Sequence, residues 1–276
     1  MDLVTAAENG SLTEVKDLMK KINYIQPYIN RALIIAAKNG HLKVVEYLVN
    51  KGADVQALDN LPIIYAASNG HLEIVEYLVN NGTDVTAENN IALIYAAENG
   101  HLKVIQYLVE NGATVIAKDN LALIRAAWHG HLEVVKYLVN KGAIVTARDN
   151  EALVLATWDG YLDVIQFLAN HGANVSAQNN LALINAVKYG HFKVAAFLLE
   201  RGARDQGYEA LNKKIKNYAL VKLLLEYYPR EVIKNLLTQV SDPKLISLLR
   251  DYPNQKFLIS SQDQILLEDD KLENQC

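Results

Sequence analysis

Cysteine is all but missing from this 276-residue chain: Cys276, the last residue, is the only one. A single thiol closes no internal disulfide, so the fold does not require an oxidising compartment. Nor does Cys276 stand four residues from the end, where a prenylation signal needs it. Excess positive charge is absent too. The formal net charge is −4 with an isoelectric point near 6.0, which gives no basis for a nucleic-acid or anionic-membrane partner. No apolar run approaches the ~18 residues of a membrane span. The start, MDLVTAAENGS, lacks the basic segment and apolar run of a secretory signal. The expectation is a soluble, monomeric, cytoplasmic protein. Proline is scarce, but 51% of residues are apolar, ample for a core.

What the chain has is repetition. Residues 30 apart match. Small pairs fall at Ala6-Ala7, Ala36-Ala37, Ala66-Ala67, Ala96-Ala97 and Ala126-Ala127, then Ala156-Thr157 and Ala186-Val187. One glycine recurs from Gly10 to Gly190 and a second from Gly52 to Gly202, making seven units to about Ala203. In the third unit Pro62 to Asn69 reads as a first helix, with proline where its missing N–H costs nothing, closed by Gly70. His71 to Asn81 reads as a second helix, with Leu72, Val75, Leu78 and Val79 on one face and Glu73, Glu76 and Asn80 on the other. Thr83 to Asn90 is the connector. Helices this short are marginal alone and require stacked neighbours. The alanine pairs suit close approach of adjacent first helices.

GHLEIVEYLVNNGTDVTA (70–87) and GHLEVVKYLVNKGAIVTA (130–147) resemble ankyrin repeats, in which a helix, a Gly-His turn, a helix and Gly-Ala-Asp-Val follow in order. The resemblance covers roughly three quarters of the chain. It implies an all-α, ankyrin-type helical solenoid with blunt hairpin or loop connectors and a helical C-terminal cap. It further implies a protein-protein interaction scaffold rather than an enzyme. Two departures stand out. The family period is about 33 residues, and here the hairpin tip shrinks to Asp59-Asn60-Leu61 or Asn89-Asn90-Ile91. The Thr-Pro-Leu-His signature is also lost, so apolar contact is expected to replace the polar network between repeats. Blunt tips move the expected binding surface to the first helices. Shortened, near-identical repeats look like those of large DNA viruses and of bacteria living inside eukaryotic cells, which implies a host-directed effector by association.

The ends differ from the middle. In the first unit INYIQPYIN replaces Gly-Ala-Asp-Val after Lys21, as in a cap facing water. Residues 204–252 read as two degenerate repeats capping the stack, since a solenoid needs ends without bare apolar faces. Residues 253–276 read as a flexible acidic tail.

His41, His71, His101, His131 and His191 share one phase. Neighbours about a helix spacing apart, ~10 Å, are too far apart to share one zinc ion, so they read as turn residues bonding backbone. Tyr47, Tyr77, Tyr107, Tyr137, Phe167 and Phe197 share another phase and read as half-buried packing. No Ser-His-Asp set, phosphate loop, HExxH or CxxC motif appears, and no metal or cofactor site is expected. An enzyme or enzyme-regulatory activity would have to lie in the C-terminal region.

The positions that break the repeat carry the functional reading. The two residues before the first glycine run Glu8-Asn9, Lys38-Asn39, Ser68-Asn69, Glu98-Asn99, Trp128-His129, Trp158-Asp159 and Lys188-Tyr189. A third column runs Ile35, Tyr65, Tyr95, Arg125, Leu155 and Asn185. In ankyrin proteins the matching pair faces the concave groove and commonly touches partners. Both tryptophans thus occupy one position of adjacent units, expected ~10 Å apart, with Tyr161 replacing a histidine nearby. The expected partner-binding set is Tyr65, Tyr95, Arg125, Trp128, His129, Trp158, Asp159, Tyr161, Lys188 and Tyr189. Two readings are open: an exposed hot-spot stripe for a partner protein, or indoles that only cover a gap between helices.

Overall fold

The computed structural model describes residues 2–21, 26–203 and Tyr227. The chain divides into two compact units, Met1–Ala210 and Leu211–Cys276. The expected cap over 204–252 and tail over 253–276 lie outside the described residues, apart from the helical Tyr227.

The described part of the first unit contains fourteen helices and no strand. First helices are α1 Leu3–Glu8, α3 Gln26–Lys38, α5 Ala57–Ser68, α7 Ala87–Glu98, α9 Ala117–Trp128, α11 Ala147–Ala156 and α13 Ala177–Tyr189. Second helices are α2 Leu12–Lys21, α4 Leu42–Asn50, α6 Leu72–Asn80, α8 Leu102–Glu110, α10 Leu132–Asn140, α12 Leu162–Asn170 and α14 Phe192–Glu200. The alanine pairs are fully buried from Ala6-Ala7 to Ala126-Ala127. With no side chain beyond Cβ, they let first helices press backbone against backbone. Leu33, Leu48, Leu78, Leu93, Leu108, Leu123 and Leu138 fill the core between the two helical rows. Adjacent first helices touch far more extensively than adjacent second helices do.

The connectors are neither hairpins nor plain loops. From the third unit on, each first helix is entered through three consecutive left-handed residues: Leu58-Asp59-Asn60, Glu88-Asn89-Asn90, Lys118-Asp119-Asn120, Arg148-Asp149-Asn150 and Gln178-Asn179-Asn180. Left-handed backbone costs an ordinary residue ~1–2 kcal/mol, and only Asn and Asp visit it with some ease. Asparagine ends every run and Asn or Asp stands in its middle. Three residues of tight left-handed winding replace the longer family tip, which is how the repeat closes at 30.

Candidate functional site

Two polar ladders hold the units in register, contrary to the expectation that apolar contact replaces such a network. In the first, the side-chain carbonyls of Asn90, Asn120 and Asn150 accept from the backbone N–H of Thr114, Ile144 and Asn174 in the next unit, each at 2.7 Å. Asn30 accepts likewise from Asp54 at 2.9 Å. These asparagines are buried from Asn90 onward, and a bonded buried amide is stabilising where an orphaned one is costly. The ladder thus offsets part of the backbone strain of the left-handed runs.

The second ladder points the other way. His41, His71, His101, His131 and His191 place Nε2 2.8–3.0 Å from the carbonyls of Glu8, Lys38, Ser68, Glu98 and Trp158 in the preceding unit. With a carbonyl as acceptor, Nε2 carries the proton and donates. Each ring also lies against the preceding unit's glycine: a Cβ on Gly100 would come within 2.7 Å of the His131 ring. The histidines are therefore turn residues that bond backbone, and the carbonyl belongs to the neighbouring unit. Among the described residues no cluster suited to a metal ion is found. Burial lowers the pKa of His101, against its bond to Ser68, with lesser contributions from the neighbouring His131 and His71. The column Tyr47, Tyr77, Tyr107, Tyr137, Phe167 and Phe197 is half-buried. The phenols of Tyr77, Tyr107 and Tyr137 are raised by burial and secondarily by Glu46, Glu76 and Glu110 of the preceding units.

Model matches to ankyrin repeats (3 copies) fall on residues 3–89, 63–149, 93–179 and 153–237. The chain belongs to the ankyrin-repeat family. Ankyrin repeats generally mediate protein–protein interaction, and proteins of this family are typically scaffolds without enzymatic activity. A search of curated proteins found no match. Among the described residues no helix is long and apolar enough to cross a membrane.

On this ankyrin frame the repeat-breaking residues gather in units five to seven. The Trp128 and Trp158 rings meet edge to face, 6.3 Å between centroids and 78° apart. Trp158 meets Tyr189 at 6.2 Å, and His129 lies 5.3 Å from Trp128. The rings are thus closer than the expected ~10 Å, which is a spacing of helix axes rather than of side chains. Trp158 and Tyr189 are each 43% exposed, Trp128 is half-buried, and His129, Asp159 and Lys188 are exposed. Arg125 stacks 5.2 Å over Trp128 and pairs with Glu98 at 3.7 Å. Lys188 lies 4.8 Å over Tyr189 and bonds its hydroxyl at 3.1 Å. Tyr95, exposed, and Tyr65, half-buried, stand in the Arg125 column on earlier units, and Lys38 lies 5.8 Å over Tyr65.

Tyr161 plays a part the sequence did not suggest. Its ring fills the imidazole's place against Gly130, where a Cβ would come within 2.5 Å of it. A phenyl ring has no nitrogen to offer the Trp128 carbonyl, so this joint lacks the imidazole bond.

The residue before the glycine also has a structural duty. Asn69, Asn99 and His129 donate from the side chain to the carbonyls of Tyr65, Tyr95 and Arg125, four residues back, at 2.8–3.0 Å. Asp159 occupies this position in the sixth unit, and an ionised carboxylate has no proton to give. There α11 stops at Ala156, two residues earlier than α9 stops in its own unit. Trp158 N–H turns back to Leu155 at 3.1 Å, and the buried Thr157 hydroxyl donates to Val154 at 2.6 Å. Trp158 therefore stands on a tightened turn rather than a helix. The legible signal was an acid in a column of amide donors.

Proposed function

We propose that this chain is a binding scaffold whose partner protein docks on the stripe formed by Arg125, Trp128, His129, Trp158, Asp159, Lys188 and Tyr189, with Tyr65 and Tyr95 extending it along the first helices. The carrying observation is that both tryptophans of the chain meet on the surface at the one repeat position where most other units have small or charged residues. Trp, Tyr and Arg are the residue types most often found at interface hot spots, where truncation costs ~2 kcal/mol or more. Tyr161 packs on Gly130, between the units that carry the two tryptophans. The reading puts the partner on the first-helix side of the row. No feature of the described residues favours an enzymatic reading.

Trp128→Ala with Trp158→Ala should abolish partner capture, weakening it roughly 700-fold if two hot spots are lost (about 4 kcal/mol). Far-UV circular dichroism and the cooperativity of melting should barely change. A double variant that unfolds, or one that captures the partner as well as the wild type does, overturns this reading.

A further inference from the structure

Resting on that reading of the stripe, we propose that Trp158 and Asp159 together receive a cationic side chain, an arginine or a lysine, from the docked partner. The stripe alternates aromatic faces with cations, and one cation is missing. Trp128 carries Arg125 over its ring and Tyr189 carries Lys188. Among the described residues no cation lies over Trp158. The reason is in the sequence: the sixth unit has Leu155 where the fifth has Arg125.

The charge balance points the same way. Arg125 is paired with Glu98, and Lys188 is engaged with the Tyr189 ring and hydroxyl. Asp159 is exposed, and among the described residues it has neither an ion-pair partner nor a hydrogen bond. A bare carboxylate therefore stands next in sequence to the most exposed indole of the chain, in a column where the other units carry Asn, His or Tyr. An indole face and a carboxylate are complementary to the two features of a guanidinium or ammonium group, its charge and its N–H donors. An acidic or purely apolar partner side chain would leave Asp159 facing like charge or buried without a partner, which is costly.

The test uses the full chain and short peptides. The two indole N–H resonances in 1H–15N spectra are the only ones of their kind, and Trp128→Phe assigns them. Titration with Ac-Leu-Arg-Leu-amide should shift the Trp158 resonance, and the citrulline peptide, equal in shape but uncharged, should bind at least threefold more weakly. A lysine peptide shows which cation is preferred. Asp159→Asn should weaken the arginine peptide at least threefold, and Asp159→Glu should restore it. A citrulline peptide or an Asp159→Asn variant within threefold of the reference overturns the proposal, as does the absence of any shift at Trp158. Loss of partner capture in the double tryptophan variant would then still uphold the stripe, so the two readings fail separately.

Discussion

Units two to four and units five to seven share one frame and differ at its surface. In the first group the residues before the glycine are Lys38-Asn39, Ser68-Asn69 and Glu98-Asn99; in the second they are Trp128-His129, Trp158-Asp159 and Lys188-Tyr189. Buried small pairs and glycine turns continue through both, with Thr157 and Val187 standing for the second alanine in units six and seven, and asparagine bonds are found in each group. The histidine ladder gives way at one described joint, where Tyr161 stands for histidine, between the two units that carry the tryptophans. The repeat frame therefore tolerates surface change at the end of the first helix as long as each joint keeps its glycine and its asparagine.

The sharpest way to break that comparison is at the glycines. Gly100→Ala and Gly130→Ala should each cost ~3 kcal/mol or more, because left-handed backbone strain adds to a clash with the facing ring. Gly112→Ala has the backbone strain alone, at φ +103° with nothing within 4 Å of the added carbon, and should cost ~1–2 kcal/mol. Urea denaturation separates the two classes; equal losses would mean that the ring yields. A smaller effect is expected at the asparagines. Asn120→Ala orphans the Ile144 N–H and should cost ~2 kcal/mol, and Asn60→Ala less, since the Asn60 carbonyl oxygen has no partner. Tyr161→His should make the divergent joint regular and stabilise the stack by ~1 kcal/mol, read from the same denaturation curves.

The smallest effect concerns pH. The folded-state pKa of His101 is depressed, so the neutral ring is favoured by folding. Its contribution is fully present above the unfolded value of 6.5 and is lost as pH falls through the lower folded value. His101→Gln should therefore lose less stability than the wild type on acidification from about pH 7 to about pH 5.

Much of this was legible in the sequence, because helix phase, glycine stops and alanine pairs are local signals repeated seven times. In the third unit both helices end within one residue of the expected Asn69 and Asn81, but the first starts at Ala57 rather than Pro62, because the left-handed run leads into it. The left-handed runs were not read, although Asn60, Asn90, Asn120, Asn150 and Asn180 recur at one position and asparagine is the residue that tolerates such backbone. The ladders were missed for a different reason. Their bonds join residues 24 or 33 positions apart, and that pairing exists only once the units are stacked. The tryptophan contact was underestimated because helix spacing fixes axes and says nothing of how far an indole leans.

The substitution at Tyr161 has a mechanical consequence. Among the described joints, the one between the fifth and sixth units alone forgoes the imidazole clasp, and Trp128 and Trp158 sit one on either side of it. A molecule gripping both indoles would splint that seam, so occupancy should slow amide hydrogen exchange in the backbone around residues 156–162 more than anywhere else along the row.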